Sequence, residues 1–568
     1  MFLLYKKYLK YYKKEVVLGP LFKLIEVIFE LIVPFIIAKM IDDGINNQNL
    51  KLIYILSGVL FLIAIISISS TLVCQYLASK ASQGVGTKIR SDLFKHIESL
   101  SIKEYDKIST SSLISRLNID INQVEVSVAM LIRLVIRAPF LVIGASVMAI
   151  FINYKIAIMF IIFSLLVLVV VLLIMKKNIQ LNKNVSLDLD DLTTITKENL
   201  VGSKVIRGFN NKKYEEDRFN NKTIALYNNS NKLAKISTLL NPSSQIIINV
   251  CLLITIFISK NLISTNFILQ GDVVALINYL NQILVAIVVV CNLVQTFSKS
   301  SNSARRINEV FALESSIKSG ELTSTLNTKE VLRFENVNFA YNDDNYVLKD
   351  INFAIYDKEI VAIVGMTASG KTTLFNLINR FYDVSSGNIY FYHKNIKDYD
   401  LKFLNQSIGY ALNKAKLLRG SVYDNLKFIS DDENQIIDAL KKADCDFVLK
   451  SPEKLNKEII ERGNNLSGGE KQRLSLARLF LKDAKINLID DALSALDLKT
   501  EKKVLENIKN MHKTTLIITE RINTIKNCDK IIVLNNNTIE AFGDEKYCLE
   551  HSQMFRELYE LQEVTYEN

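Results

Sequence analysis

The sequence contains no tryptophan and only five prolines, and its cysteines form no pattern that would bind a metal or cross-link the chain. The first two scarcities accompany a composition rich in Lys, Asn and Ile and exclude little. The six cysteines are scattered without a CxxC pair, at Cys74, Cys251, Cys291, Cys445, Cys528 and Cys548. Disulfide frameworks and zinc sites need cysteines at short, repeated spacings, so neither is predicted. No small-residue cleavage site follows the basic N-terminal segment, and we expect no removable signal peptide.

Long apolar runs dominate the chain before about residue 300. Hydrophobic residues make up 49% of the whole sequence, and several of these runs approach the roughly 20 residues that cross a bilayer. We predict six spans, at residues 16–38, 52–77, 128–153, 156–175, 246–268 and 273–297. An even number of spans returns both chain ends to the same side of the membrane.

Lysine and arginine identify that side as the cytoplasm. Basic residues crowd the N-terminal segment and the long stretches after the second and fourth spans, whereas the intervening turns are short and poor in them. By the positive-inside rule we expect a multi-pass plasma-membrane protein with cytoplasmic N and C termini. The first fifteen residues suit an amphipathic helix on the inner leaflet. The net charge of +10 is then explained by basic residues that face lipid headgroups and set the orientation in the membrane. No nucleic-acid partner is predicted.

Beyond residue 314 the sequence changes from apolar runs to short strands that alternate with helices. A stretch rich in Ser and Thr at 315–329 is predicted to be a linker between a membrane domain, 1–314, and a second domain, 330–568. Strand runs that alternate with helical stretches indicate an α/β domain.

This second domain contains a phosphate-binding loop with the expected flanks. An apolar strand run leads into Gly365, Met366, Thr367, Ala368, Ser369, Gly370, Lys371, Thr372 and Thr373, and a helical run follows. In such a loop the backbone N–H groups cradle phosphates, Lys371 reaches the β- and γ-phosphates, Thr372 offers its hydroxyl to Mg²⁺ and Thr373 adds a phosphate hydrogen bond. Downstream, another buried-strand run ends at Asp490, placed to hold Mg²⁺ through a water. The sequence therefore predicts binding of ATP with Mg²⁺.

Between these two elements lies the run Asn-Leu-Ser-Gly-Gly-Glu-Lys-Gln-Arg at 465–473. It resembles the signature sequence of ATP-binding cassette (ABC) transporters, and nearly the whole chain resembles one half of a type IV exporter. The resemblance implies a helical transmembrane domain of six spans with long cytoplasmic extensions, fused to an α/β P-loop NTPase domain. It also implies that two cassettes meet head to tail, each ATP lying between one chain's loop and the other chain's signature residues, here Leu466, Ser467, Gly468, Gly469 and Glu470.

Further positions take their roles from the same resemblance. Tyr341 falls where the family places a ring that stacks on adenine, and Asp497 closes a run similar to its D-loop. Residues 104–117 and 198–215 resemble the two coupling segments of the membrane half.

Three residues depart from the pattern of exporters that hydrolyse ATP. Asp491 stands where a glutamate usually follows the magnesium aspartate, so it would be at best a weak base, with its carboxylate retracted by about 1.5 Å. Glu520 stands where a histidine contacts the γ-phosphate, which places an anion against an anion. Asn413 stands where the family has a glutamine that reaches Mg²⁺, and it carries the same amide on a shorter side chain.

Together these departures resemble the degenerate subunit of a heterodimeric exporter. We expect the chain's own loop to bind ATP and release it slowly, while its signature completes a competent site on a second half-transporter. Two alternatives remain open: a homodimer with two slow sites, and an ATP-binding membrane receptor or scaffold that transports nothing. The exporter resemblance implies a drug, lipid or peptide as cargo.

Four charges fall inside predicted spans. Glu26 and Glu30 lie one helical turn apart and form either a cargo-facing surface or a helix–helix pairing. Arg133 and Arg137, also one turn apart, either extend to lipid headgroups, as we expect, or face a cavity or pair with another charge.

Overall fold

The computed structural model describes residues 2–264, 267–342 and 345–566. Its contacts divide the chain into two compact units. Unit 1 comprises Met1–Ser99 and Ile108–Leu313, and unit 2 comprises Leu100–Lys107 and Glu314–Asn568. Residues 265–266, within the fifth predicted span, lie outside the described residues.

Unit 1 is built from helices. In chain order the helices of the first 311 residues are α1 (Phe2–Leu9), α2 (Lys13–Lys39), α3 (Leu50–Glu98), α4 (Ile102–Lys107), α5 (Thr110–Ser115), α6 (Ile121–Arg133), α7 (Arg137–Ile152), α8 (Tyr154–Val201), α9 (Ser203–Gly208), α10 (Lys212–Thr238), α11 (Leu240–Ser264) and α12 (Gln270–Phe311), and of these only α4 belongs to unit 2. Helical turns of other pitch link several of them, at Lys10–Tyr12, Met40–Ile45 and Arg116–Asp120.

Within the described residues, five helical segments are long and apolar enough to cross a bilayer. They are Leu50–Glu98, Thr110–Ile152, Tyr154–Val201, Lys212–Ser264 and Gln270–Phe311. The predicted count of six is not confirmed. The residues predicted to form the first span are helical within α2, but Lys23, Glu26 and Glu30 interrupt their apolar pattern. Length and hydropathy therefore indicate a multi-pass membrane protein.

Close helix packing in unit 1 depends on small residues. Gly144 of α7 faces Leu31 of α2, and a Cβ at Gly144 would lie 2.3 Å from the Leu31 Cδ1 atom. The hydroxyl of the buried Tyr279 on α12 donates to the Leu31 carbonyl oxygen at 3.0 Å. The absence of a side chain at Gly144 thus allows α7 to approach α2 closely, and a hydrogen bond joins α12 to α2. Both features are common where helices pack in lipid.

Unit 2 contains three sheets and the remaining helices. Its strands are β1 (Glu330–Ala340), β2 (Tyr346–Tyr356), β3 (Ile360–Gly365), β4 (Ser386–Phe391), β5 (Lys394–Asn395), β6 (Ile408–Ala411), β7 (Gly420–Ser421), β8 (Glu458–Ile459), β9 (Ile486–Asp490), β10 (Thr514–Ile518), β11 (Lys530–Asn535) and β12 (Thr538–Gly543). Its helices after α4 are α13 (Lys371–Ile378), α14 (Leu401–Ser407), α15 (Glu433–Lys442), α16 (Asp446–Leu449), α17 (Gly468–Leu481), α18 (Leu498–Asn510), α19 (Ile522–Ile525), α20 (Glu545–His551) and α21 (Gln553–Tyr566).

The six-stranded sheet sets the position of the nucleotide elements. Its order is β12-β11-β3-β10-β9-β6, and the neighbours from β11 to β6 run parallel. Strands β3, β9 and β10 are buried along their whole length, which explains their continuous apolar runs. Because parallel strands end at one edge, the residues that follow β3, β9 and β10 lie side by side. An antiparallel sheet, β2-β1-β4-β5, and the pair β7-β8 complete the unit.

The predicted linker and the helix α4 both belong to unit 2. Within the linker, the backbone N–H groups of Gly320 and Leu322 donate to Tyr399 and Asp398 carbonyl oxygens at 2.9 and 3.0 Å. The buried carboxylate of Glu104 on α4 accepts from the Ser316 backbone N–H and hydroxyl, both at 3.3 Å. The linker is therefore attached along its length.

A second acidic residue of α4, Asp106, also contacts the α/β domain. Its carboxylate accepts a hydrogen bond from the Tyr382 hydroxyl at 2.7 Å. This contact joins the first predicted coupling segment to the region just after α13. The second predicted coupling segment includes α9, which is flanked by the exposed apolar residues Val201 and Phe209.

We predict that Glu104→Ala lowers the thermal unfolding midpoint of the purified full-length chain, whereas Lys103→Ala, an exposed neighbour, does not. The substitution leaves the Ser316 donors without their acceptor, a loss of about 1–3 kcal/mol. Although burial opposes it, hydrogen bonding to Ser101 and Ser316 lowers the pKa of Glu104. This stabilisation is then present above the ordinary glutamate pKa and is lost as pH falls through the lowered one. Equal midpoints for the two variants would contradict the prediction.

Candidate nucleotide site

The phosphate-binding loop connects the buried strand β3 to helix α13. Gly370 precedes the helix with φ +99°, a conformation that glycine adopts without strain. A Cβ at Gly370 would also lie 2.7 Å from the Leu348 Cδ2 atom. Ala368 has φ +67°, which costs a residue with a Cβ roughly 1–2 kcal/mol. The loop conformation therefore includes a strained backbone at Ala368, which the sequence alone did not indicate.

The side-chain amine of Lys371, the first residue of α13, forms hydrogen bonds within the loop. The Nζ atom donates to the Gly365 carbonyl oxygen and, at 3.0 Å, to that of Met366. It also lies 3.3 Å from the Glu520 Oε1 atom, with which it forms an ion pair. The lysine that is predicted to bind phosphate is thus paired with the carboxylate of Glu520, the residue predicted to stand in place of a histidine.

The predicted magnesium residues lie together at the ends of neighbouring elements. The Thr372 hydroxyl donates to Asp490 Oδ1 at 3.3 Å, and the Tyr410 hydroxyl at the end of β6 donates to Asp490 Oδ2 at 3.2 Å. Burial raises the pKa of Asp490, and these two hydrogen bonds oppose that shift. Tyr410 was not singled out from the sequence, although its place three residues before Asn413 was a usable signal.

Asp491 follows Asp490 with a left-handed backbone, φ +49°, which aspartate tolerates better than most residues. Its N–H donates to the Ile518 carbonyl oxygen at 3.0 Å, which ties it to the end of β10. Burial raises the pKa of Asp491, and the nearby negative charge of Glu520 raises it further. The two acidic departures from the family pattern therefore lie within electrostatic range of each other.

These residues fit ATP and Mg²⁺. Among the described residues, the Ser369 hydroxyl oxygen has no hydrogen-bond partner although it is buried in the loop, as expected of a group that binds a ligand. Hydroxyl and carboxylate oxygens, as Thr372 and Asp490 supply, are the donors that Mg²⁺ prefers. The N-terminus of α13 adds backbone N–H groups suited to an anion.

The signature segment begins helix α17 and is open to solvent. Ser467 caps the helix, accepting from the Glu470 N–H at 3.3 Å, while Glu470 Oε2 accepts from the Ser467 N–H at 2.8 Å. This capping box satisfies the N–H groups of Ser467 and Glu470. In the described structure, a Cβ built on Gly468 would have open space within 4 Å beyond its own helix backbone, whereas one on Gly469 would lie 3.1 Å from the Ala495 carbonyl oxygen. Leu466 is buried beneath. The helix N-terminus is therefore exposed beside the predicted D-loop.

Arg521, the residue after Glu520, anchors the predicted D-loop. Its guanidinium donates to the Leu496 carbonyl oxygen at 3.0 Å, to the Ser494 carbonyl oxygen, and to the buried carboxylate of Glu501. Asp497 caps α18 by accepting from the Thr500 N–H at 3.1 Å. Sequence reasoning assigned no role to Arg521 or Glu501, because their partners are backbone carbonyls and a residue 20 positions away.

Two predicted residues are engaged in other contacts. The Tyr341 ring packs edge to face with Phe339 and Tyr382, and its hydroxyl lies 3.1 Å from the Thr373 hydroxyl. The Tyr341 ring remains partly exposed. Its contact with adenine stays a prediction. Asn413 accepts a hydrogen bond from Gln472 through its backbone oxygen, and its side chain is exposed. The roles assigned to the other loop and signature residues, Thr367 and Thr373 among them, also remain predictions.

The charges of the membrane half form ion pairs within unit 1. The Arg137 guanidinium donates to both Glu30 carboxylate oxygens at 3.1 Å, and Lys23 Nζ lies 2.6 Å from Glu26 Oε2. The prediction that Arg137 extends to lipid headgroups is therefore wrong, because an opposite charge on α2 lies within its reach. Arg133 donates to the Gln75 side-chain oxygen at 3.4 Å.

A cleft between α2, α3 and α7, of about 520 Å³, is lined by both acidic residues and by apolar side chains. Of the two alternatives drawn from the sequence, helix–helix pairing is found for Glu30, which pairs with Arg137 of α7, whereas Glu26 pairs with Lys23 of its own helix. Both acidic residues line the cleft, and their contact with cargo stays a prediction.

The fold and this site together define an ABC transporter. The family model described as the ABC transporter transmembrane region matches residues 16–288, and the model described as ABC transporter matches residues 348–494. The chain is 32% identical over 560 residues to the uncharacterized ABC transporter ATP-binding protein YfiB of Bacillus subtilis, covering 98% of this chain and 97% of that protein. It belongs to the ABC transporter family and carries that family's ATPase domain.

Two further comparisons extend this result. The ATP-dependent lipid A-core flippase of Haemophilus influenzae is 26% identical over 93% of this chain and 91% of its own length. A solved structure of a bacterial Atm1-family ABC exporter with ATP bound superposes with a TM-score of 0.84 at 21% identity, covering 97% of this chain and 98% of that one. The fold is therefore that of a type IV exporter, a transmembrane region joined to an ATPase domain.

We predict that Arg521→Ala destabilises the ATPase domain by about 3 kcal/mol, because it leaves the buried Glu501 carboxylate without its cation. The double variant Arg521→Ala with Glu501→Ala should lose less than the sum of the two single variants, since each removes the same pair. Thermal unfolding of the purified chain measures both effects. Strict additivity would show that the pair contributes nothing.

Proposed function

We propose that this chain is the hydrolysis-impaired subunit of a heterodimeric ATP-driven exporter. Its own loop, 365–373, binds ATP with Mg²⁺ and turns it over slowly. Its signature, 466–470, completes a faster site on a second half-transporter with a full catalytic set. The observation that carries the proposal is the contact between Lys371 and Glu520, since it places an anion at the phosphate end of the site.

Slow hydrolysis follows from the two acidic departures. Glu520 replaces a donor with a negative charge where negative charge develops on the transferring group, and such charge is normally stabilised by donors and cations. Asp491 is one carbon shorter than glutamate, and a displacement of about 1 Å in a catalytic group can cost roughly a hundredfold in rate. Neither residue removes the loop that binds the nucleotide.

The exposed signature supports the contribution to a partner. Ser467 and Gly468 lie open at the N-terminus of α17, where backbone N–H groups and the helix dipole favour an anion. Arg521 and Asp497 hold the adjacent D-loop through local contacts. A segment that is intact and exposed in this way suits a site completed by another chain's phosphate loop.

We infer that the cargo is hydrophobic or amphipathic. One relative is named a lipid A-core flippase, and the cleft beside Glu26 and Glu30 combines apolar walls with charge. A drug, a lipid and a peptide all have this character. We also propose that both termini are cytoplasmic, that the membrane domain is 1–314 with a linker at 315–329, and that the ATPase domain is 330–568.

We predict that this chain alone, in proteoliposomes, hydrolyses ATP at a small fraction of the rate of the pair formed with a half-transporter that carries glutamate and histidine at the positions of Asp491 and Glu520. The slow rate follows because two copies of this chain form only impaired sites. Phosphate release measures the rate. Equal rates would favour the slow homodimer, and ATP binding without turnover in either preparation would favour a receptor or scaffold.

We predict the opposite ranking of two substitutions in the pair. Lys371→Ala should lower turnover only modestly, because it alters the impaired site, whereas Ser467→Ala or Gly468→Asp should nearly abolish it by damaging the site on the partner. Glu506→Ala, at an exposed position of α18 that has no assigned role, serves as the control. A larger loss from Lys371→Ala would assign the working site to this chain's own loop.

A further inference from the structure

We propose that Glu520 makes the site at 365–373 favour a nucleoside diphosphate over a triphosphate, because its carboxylate occupies Lys371 and repels a third phosphate. The inference rests on the proposed function in taking this loop as a nucleotide site. It goes further by stating which nucleotide the site retains, and it concerns affinity rather than the rate of hydrolysis.

The contact itself provides the first step. Glu520 Oε1 lies 3.3 Å from Lys371 Nζ, and within the described part of the chain that amine also donates to the Gly365 and Met366 carbonyl oxygens. All three partners are acceptors, as phosphate oxygens are. A terminal phosphate that approaches Lys371 therefore competes with a carboxylate already bound to the cation.

The sheet explains why the carboxylate lies there. Strand β10 is parallel to β3 on one side and to β9 on the other. Glu520 follows the end of β10, the loop follows β3, and Asp490 ends β9. Three adjacent strands thus deliver Lys371, Glu520 and Asp490 to one edge. The position of Glu520 is determined by the sheet rather than by a flexible loop.

The local balance of charge opposes an added phosphate. Asp490, Asp491 and Glu520 provide three carboxylates at this edge. Lys371 forms an ion pair with Glu520, and its positive charge also acts on Asp490 and Asp491. The neighbouring Arg521 offsets the charge of Asp491 only in part, because its guanidinium forms its hydrogen bonds with Glu501 and with the Leu496 and Ser494 carbonyl oxygens. Mg²⁺ accompanies both nucleotides, so it does not remove the difference between them.

A diphosphate avoids most of this repulsion. In a phosphate-binding loop the backbone N–H groups cradle the α- and β-phosphates, while the lysine extends to the β- and γ-phosphates. The glycines of the loop and the N-terminus of α13 are intact for the first task. Glu520 opposes only the part of the site that contacts the terminal phosphate.

The size of the effect is limited by solvent. The Glu520 side chain is 56% exposed, and exposed charges interact weakly compared with buried ones. We therefore expect removal of its charge to shift the ratio of ATP to ADP affinity about tenfold, at the low end of what one charge at this distance can supply. The shift should decrease with added salt, since screening weakens interactions between exposed charges.

The test is calorimetric titration of the full-length chain, purified alone in detergent, with Mg-ADP and with a non-hydrolysable Mg-ATP analogue. We compare wild type with Glu520→Gln and Glu520→His, and use Glu506→Gln, an exposed glutamate on α18, as the matched control. We expect wild type to bind ADP at least as tightly as the analogue. Both Glu520 variants should shift the affinity ratio about tenfold towards the analogue, and the control should leave it unchanged.

The outcomes separate this inference from the proposed function. If wild type binds the analogue much more tightly than ADP, and Glu520→Gln changes the ratio by less than about twofold, a difference within ordinary surface effects, the inference is overturned while the nucleotide site stands. If wild type and the variants bind neither nucleotide, the proposed function fails together with the inference. Because the Glu520 side chain is largely exposed, its substitution does not endanger folding.

Discussion

The ATPase domain depends on the convergence of three parallel strands at one edge of the sheet. Strands β3, β10 and β9 are buried along their whole length. Because neighbouring strands in this group run parallel, their C-terminal ends lie at the same edge. The loop with Lys371 leaves β3, Glu520 leaves β10, and Asp490 ends β9. The pairing of Lys371 with Glu520 at 3.3 Å is a direct consequence of this geometry. A histidine in place of Glu520 would meet the same amine without adding a negative charge.

The contacts around the nucleotide site extend to both ends of the ATPase domain. Arg521 connects the end of β10 to the D-loop, and the D-loop lies beside the exposed N-terminus of the signature helix. On the other side, Tyr341 contacts Thr373 of the loop and packs against Tyr382, whose hydroxyl binds Asp106 of α4. Side chains in direct contact thus link the phosphate loop to the first predicted coupling segment.

In the membrane half, charge is handled by pairing. Glu30 with Arg137 and Glu26 with Lys23 are close ion pairs among apolar helices, as expected where isolated charges are costly. These charges also explain why α2 does not meet the apolar criterion that the other five segments satisfy. The acidic residues still line a cleft, so pairing lowers the cost of burying charge without removing these side chains from the surface of the cleft.

The sequence by itself determined the local features of the protein. Apolar runs of bilayer length, a glycine-rich loop between a strand and a helix, and the signature run are contiguous patterns, and contiguous patterns predict class, family and binding loop. The tertiary structure alone decided the pairs: Lys371 with Glu520, Tyr410 with Asp490, Arg521 with Glu501, and Arg137 with Glu30. Each joins residues at least 20 positions apart. Such contacts depend on strand order and helix packing, which arise from the burial of many side chains at once and leave no local trace.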